Sequence, residues 1–375
     1  MQQGYLIKLN NIESSINPAL IGKSSGRFVF ADSLRGLAAL WVVFFHASEG
    51  KHIEYIRDSI PTFFYKLLFD FGHLGVSMFF VLSGFVMALT LQNTTVNSKF
   101  AAKFILRRLV RLVPSYYFAI AFTLLLMLVK SNALHSQFIM VSMHDLWAHA
   151  FFLQDFLSIT QINPVFWTLC IEVQFYIAFI FIIWIADQAE HLKVIRQGRL
   201  VIVTLSSTLA LIWAFEIVKN PLWTGGFIVF WYSFLAGVLV CFALHENNLS
   251  RKVAYGYFLL LAMATIITHS MFTFTVLITS LLLTVAGIQG KMSQWLNWRW
   301  LQSVALISYS LYLLHNQITG ATFNILKRVL PEGLLFEVVE LIITIGLCVV
   351  FSWIAYMISE RPSISWSHLI SLREK

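Results

Sequence analysis

Apolar runs of about twenty residues, broken by short polar stretches, recur along nearly the whole chain. A helix needs roughly 20 apolar residues to cross the hydrocarbon core of a bilayer, so each run reads as a candidate span. Ten are found, at roughly 31–49, 72–92, 112–130, 164–186, 199–218, 225–244, 253–269, 272–289, 303–325 and 336–358. The pattern predicts an all-α polytopic membrane protein with about ten transmembrane helices. The stretch Asp145–Leu157 is apolar but too short to span, and is expected to be interfacial or re-entrant. Residues 1–29 are polar, without the charged, apolar and small-residue order of a signal peptide, and read as an unprocessed N-terminal tail.

Composition agrees. Of 375 residues, 58% are hydrophobic and only 12% charged, and the mean hydropathy is +0.76, which excludes a soluble globular domain of this length. The net charge of +8 is distributed by loop. With the N-terminus inside, the inner segments hold 18 Lys and Arg, among them Lys103, Arg107, Arg108 and Arg111, and the outer segments hold 7, among them Lys51, Lys219 and Lys327. That bias places both termini in the cytoplasm of a cell (inner) membrane protein. It accounts for the positive charge without nucleic acid, for which no binding motif is present. Cys170, Cys241 and Cys348 fall inside apolar runs at spacings that suit neither a metal nor a redox pair. No zinc-ligand histidine spacing, Gly-x-Ser-x-Gly elbow or phosphate-cradling Gly-rich loop occurs.

Ionisable groups inside spans are costly and mark function. The first span holds an arginine and a histidine, Arg35 and His46. Eleven helical steps return to within about 20° of the same face and separate the pair by roughly 16 Å along the membrane normal. A cation at one depth and a proton-transfer group at another suit a long, anionic, two-ended substrate. Asp32 shares the face, and Glu49 lies one turn beyond His46, in position to orient or charge its imidazole. In the second span Gly75, Ser83, Gly84 and Ala88 allow close helix packing, and the Ser83-Gly84 step also suits a ligand path.

Arg107, Arg108 and Arg111 cluster within one helical turn at the inner face. They read equally as lipid anchors or as a phosphate clamp. In the fourth span Thr168, Glu172 and Tyr176 are spaced four apart and make one polar stripe. A buried carboxylate at Glu172 calls for a partner such as His46 or an arginine. In the ninth span Ser308, Tyr312 and His315 make a second stripe.

Taken together these segments resemble the acyltransferase family 3 membrane proteins, which O-acylate bacterial surface glycans and some small molecules. The resemblance runs in order from about Phe30 to Pro362. It rests on Arg35 and His46; on Phe79-Phe80-Val81-Leu82-Ser83-Gly84-Phe85; and on Arg107-Arg108 and Arg111 before Pro114. It continues through Trp167-Thr168-Leu169 with Glu172 and Phe175-Tyr176, Ser308 to His315, and Glu360-Arg361-Pro362. The family's ten-helix core matches the count of spans. The expected organisation is a cytoplasmic tail at 1–29, an acyltransferase transmembrane domain at 30–362 and a cytoplasmic tail at 363–375. The fused esterase-like domain of many relatives is not expected.

The resemblance implies an O-acyltransferase that moves an acyl group, acetyl by family analogy, from cytoplasmic acyl-CoA to a hydroxyl of a surface glycan or its lipid-linked precursor. No cofactor or metal is expected. On this reading His46 is the general base or an acyl carrier, with Arg35 and Glu172 completing the catalytic set. Arg35, Arg108, Arg111 and Ser83 contact acyl-CoA, and Trp167, Tyr176, Tyr312 and His315 contact the acceptor. A secondary transporter or flippase of a glycan or anionic small molecule is the alternative. Against it, no internal repeat and no matched pair of Gly/Pro-broken spans is present.

Overall fold

The computed structural model describes residues 28–133, 140–218 and 225–372. Most of the predicted N-terminal tail, Lys219 in one loop, and Arg373 and Lys375 lie outside these residues. Among the described residues every regular element is helical. The helices are α1 (Val29–Glu49), α2 (Glu54–Ser59), α3 (Thr62–Leu68), α4 (Gly75–Leu91), α5 (Ser98–Ala133), α6 (Met143–Ala150), α7 (Trp167–His191) and α8 (Gly198–Ala214). They continue with α9 (Trp231–His245), α10 (Asn248–Thr268), α11 (Met271–Ile288), α12 (Arg299–Leu306), α13 (Ser308–Leu326), α14 (Leu334–Ala355) and α15 (Arg361–Leu369).

All ten predicted spans are largely helical, although the ninth is broken at Ile307 between α12 and α13, and among the described residues eight helices are long and apolar enough to cross a membrane. The chain is a polytopic all-α membrane protein. The two outside that set have physical reasons to be. Helix α8 has only 17 residues, and α13 carries Ser308, Tyr312, His315 and Thr319, all buried inside the protein. The structure differs from the predicted third span, which started at residue 112. Helix α5 runs unbroken for 36 residues through Pro114, about 54 Å at 1.5 Å per residue. That exceeds the roughly 30 Å hydrocarbon core, so the arginine cluster rides on the extension of a span. At the other end of the chain, a π-helical turn at Tyr356–Glu360 leads α14 directly into α15, which passes Pro362.

Helix starts follow local chemistry. Ser142 caps α6, Asn247 caps α10 and Ser270 caps α11 through side-chain oxygens that accept backbone N–H bonds. Asn163 caps the 3-10 turn Pro164–Phe166 that opens into α7.

Close backbone approaches set the packing of α1, α4 and α9. A Cβ at Gly84 would stand 1.9 Å from the carbonyl oxygen of Phe234, and one at Gly237 would stand 1.9 Å from that of Val81. Helices α4 and α9 therefore meet through mutual glycines. Gly75 lies against the Ala38 carbonyl of α1, and Gly36 of α1 against the backbone of Ala305. The start of α1 is also tied down by Ser33, whose Oγ donates to Val29 O and accepts from Gln302 Nε2 at 2.6 Å. Near the C-terminal end of α4, Arg199 holds both oxygens of buried Asp187 at 2.6 Å and donates to the carbonyls of Leu91 and Thr94. Asp187 Oδ2 also accepts from Val96 N at 2.6 Å. This clamp fastens α7, α8 and the α4–α5 connection together.

Candidate active site

Helices α1, α4, α5, α7, α13 and the turn before α15 enclose a cavity of about 280 Å³. Its charged lining is Arg35 and Asp32 from α1, Arg108 and Arg111 from α5, Glu172 from α7 and Glu360 from the π turn. Tyr176, Tyr309, Tyr312, Thr168 and Ser308 supply hydroxyls, and Phe79 and Phe80 of α4 give an apolar wall. Thr168, Glu172 and Tyr176 of one stripe and Ser308 and Tyr312 of the other thus line one space, with His315 outside its lining. The Tyr312 hydroxyl and Thr168 Oγ1 join the two stripes at 2.8 Å.

The carboxylates have specific partners. The Tyr176 hydroxyl donates to Glu172 Oε1, and Ser83 Oγ donates to the same oxygen at 3.3 Å. Glu360 is buried, and its Oε2 accepts from the Ser310 backbone N–H at 3.2 Å and from Ser310 Oγ at 2.6 Å. The guanidinium of Arg108 lies over Tyr176 at 5.4 Å and over Phe104 at 5.3 Å from the ring centroids. Its NH2 donates to Thr90 at 3.3 Å. Aromatic faces thereby hold this cation at the cavity wall. Arg107 points elsewhere and bonds His368 Nδ1 at 2.7 Å.

His46 stands outside the cavity lining, about three turns beyond Arg35 on α1. Its Nδ1 is 2.7 Å from Glu49 Oε2. Its ring centroid is 5.0 Å from that of His315. His315 is fully buried, and its Nδ1 donates to the carbonyls of Tyr312 at 2.8 Å and Leu311 at 3.1 Å. Its Nε2 has no hydrogen-bond partner. Tyr312 lines the cavity and His315 meets His46 one turn further along α13, so this helix connects the two places.

The sequence expectations sort accordingly. Arg35, Arg108, Arg111, Glu172, Tyr176 and Tyr312 come together around one cavity. Ser83 lies behind the wall, reaching it through Glu172. Glu172 is bonded to Tyr176 and Ser83, and the carboxylate on His46 is Glu49. Trp167 packs against Phe80 and Phe230, outside the lining. Glu360 and Tyr309 line the cavity without having been assigned a role from sequence. A carboxylate directly after a long apolar run was the available signal for Glu360. In α6, His149 is buried and His144 exposed, as their five-residue separation on a helix requires. All three cysteines are buried and free.

Comparison with known proteins follows the same line. The family described as an acyltransferase domain, acyltransferase family 3, matches residues 28–357. The "Putative acetyltransferase ORF330" of Acidianus two-tailed virus is 27% identical over 216 residues, which is 57% of this chain and 57% of that protein. No solved structure matches the chain at a significant level. With the family match spanning nearly the whole transmembrane region, the chain belongs to acyltransferase family 3.

Proposed function

We propose that the protein is a membrane-integral O-acyltransferase. It takes an acyl group, acetyl by analogy with the viral relative's name, from cytoplasmic acyl-CoA to a hydroxyl of a surface glycan or its lipid-linked precursor. Both termini face the cytoplasm of the cell membrane, on the strength of the Lys and Arg distribution. The observation that carries this reading is the Glu49–His46 bond, set beyond a cavity lined by three arginines.

On this reading the Glu49–His46 bond supports general-base chemistry. A carboxylate at Nδ1 accepts the ring N–H and fixes the tautomer whose Nε2 bears the lone pair. Nε2 of His46 takes the proton of the acceptor hydroxyl as its oxygen forms a bond to the thioester carbonyl carbon. The tetrahedral intermediate collapses, the carbon–sulfur bond breaks, and the imidazolium returns its proton to the departing CoA thiolate. Glu49 stabilises the transient imidazolium. Arg35, Arg108 and Arg111 suit the donor's phosphates, because guanidinium forks match phosphate oxygens. Glu172, with Ser83 behind it, keeps Tyr176 beside Arg108. Tyr312 and His315, on the helix that runs from the cavity to His46, form the acceptor side, and Trp167, next in sequence to the Thr168 that bonds Tyr312, belongs to it on the same reading.

The test is O-acyl analysis of surface glycan by mass spectrometry in a deletion strain carrying wild type, His46→Ala or Arg35→Ala at matched membrane levels. Wild type restores the O-acyl groups and both variants fail to. Normal acylation by His46→Ala at equal protein level overturns the catalytic assignment. No difference between the deletion strain and wild type overturns the acceptor class.

A further inference from the structure

A second cavity, of about 380 Å³, lies away from the arginine-lined one, between α2, the segment after α13 and the start of α14. Its lining carries five of the chain's eighteen acidic residues: Glu54, Asp58, Glu332, Glu337 and Glu340. In a chain of net charge +8 this is a concentrated reversal of sign. One cation, Lys327, belongs to the lining, and its Nζ donates to the Lys51 carbonyl at 3.2 Å.

Two of the carboxylates are built into the protein. Glu337, 6% exposed, accepts from the Ile56 backbone N–H at 2.8 Å and so ties α2 to α14. Glu340 stands one turn further on, is 3% exposed, and its Oε2 has no hydrogen-bond partner. Lys327 supplies a nearby positive charge, but no donor among the described residues reaches this buried oxygen, which leaves it free to accept a hydrogen bond from a ligand in the cavity. The space is several times larger than the roughly 30 Å³ that one water takes in the liquid. Among the described residues no three His, Cys, Asp or Glu side chains are placed to hold a metal ion. The lining therefore suits an occupant that is cationic, able to donate hydrogen bonds, and larger than a single ion. Tyr55, whose hydroxyl donates to Glu332 at 3.4 Å, adds an aromatic face of the kind that attracts ammonium groups. The nearby carboxylates, Glu332 foremost, push the Tyr55 phenol above its ordinary pKa, a second sign of the negative field.

We propose that this cavity binds an organic ammonium group, supplied by a small soluble amine or by an aminolipid headgroup, with Glu340 as its buried anchor. The site stands independently of the acyl-transfer reading.

The full-length protein in nanodiscs of phosphatidylglycerol is titrated with ethanolamine by calorimetry, against sodium chloride at matched ionic strength. A parallel sample in nanodiscs of phosphatidylethanolamine and phosphatidylglycerol is examined by native mass spectrometry. Saturable ethanolamine binding that Glu340→Gln weakens at least tenfold supports the proposal with a soluble amine as the source. Preferential retention of phosphatidylethanolamine, lost in Glu340→Gln, supports it with the lipid as the source. Glu332→Gln alters an exposed residue and leaves the fold intact. It is expected to weaken either form of binding several-fold, which keeps the test decisive should Glu340→Gln fold poorly. Binding of neither probe above the salt control, or equal binding by wild type and both variants, overturns it.

Discussion

Glu49 Oε2 lies 2.7 Å from Nδ1 of His46, one helical turn away at the end of α1. The carboxylate is exposed and the imidazole nearly enclosed, with side-chain exposures of 59% and 12%. An exposed ion pair contributes little to stability, so this contact matters through the ring's tautomer. Glu49→Gln retains the size of the side chain and loses the charge. It should lower the turnover of acyl transfer about 10–100-fold, less than the roughly 10²–10⁴-fold that the base itself contributes, while leaving the KM for acyl-CoA nearly unchanged. Steady-state thiol release checks this, and an unchanged turnover would show that Glu49 does not position His46.

Arg35 tests the donor side. Lysine keeps the charge but loses the bidentate fork. Arg35→Lys should raise the KM for acyl-CoA about tenfold, the scale of one charged hydrogen bond, with a smaller change in turnover. The same thiol-release assay, with acyl-CoA varied, separates the two constants. A KM equal to wild type removes Arg35 from the donor site.

Gly84 tests the packing. Its Cβ would fall 1.9 Å from a backbone oxygen, which no side-chain rotation relieves. Gly84→Ala should force α4 and α9 apart at a cost of about 1–3 kcal/mol or more. A lower unfolding midpoint and a smaller monodisperse fraction in detergent are expected. Gly256 is the control, because a Cβ there would meet nothing within 4 Å, and Gly256→Ala should behave as wild type.

The Asp187–Arg199 clamp should be structural. Asp187→Asn breaks a buried pair and leaves Arg199 without its counter-charge. Such losses cost about 3–5 kcal/mol. The variant should unfold at a lower temperature, and the loss should persist at high salt because the pair is buried.

His149 gives a pH prediction outside the spans. Its Nδ1 donates to the Asp145 carbonyl at 2.8 Å and its Nε2 accepts from the Ile162 N–H at 3.1 Å. Only the neutral ring makes both bonds. Burial lowers its pKa from the ordinary 6.5. Below about 6.5 the unfolded chain therefore takes up the proton first. The stabilisation is complete above that pH and is lost as the pH falls toward the folded pKa. Apparent unfolding midpoints should drop between about pH 7.5 and 5.5, on either side of the ordinary histidine pKa. His149→Gln should start lower and show a shallower drop. A parallel profile in the variant would assign the pH dependence to other histidines, such as His52, which burial shifts the same way.

The membrane-spanning helices were legible because apolar length is a local property. The stripes of Thr168, Glu172 and Tyr176 and of Ser308 and Tyr312 were legible because positions three and four apart share a helix face whatever the helix packs against. The partners of Glu172 were only partly legible: Arg108, one of the expected arginines, lies within its electrostatic reach, but its hydrogen bonds come from Tyr176 and Ser83, and His46 is bonded to Glu49 instead. That choice depends on which helices touch and at what depth, and glycines at 75, 84 and 237 set this through backbone contact.

The sequence by itself therefore determined an all-helical membrane protein, the helix faces that carry its polar groups, and the Arg35–His46 spacing on one span. Only the tertiary structure decided that Arg35 opens on a cavity with Arg108 and Arg111, and that Glu360 joins them from the far end of the chain. It also decided that His46 meets His315 beyond the cavity wall. The physical reason is one of range. Helical periodicity is fixed by neighbours within a few residues, whereas side chains separated by hundreds of residues meet only once close-packed helices have selected a single arrangement.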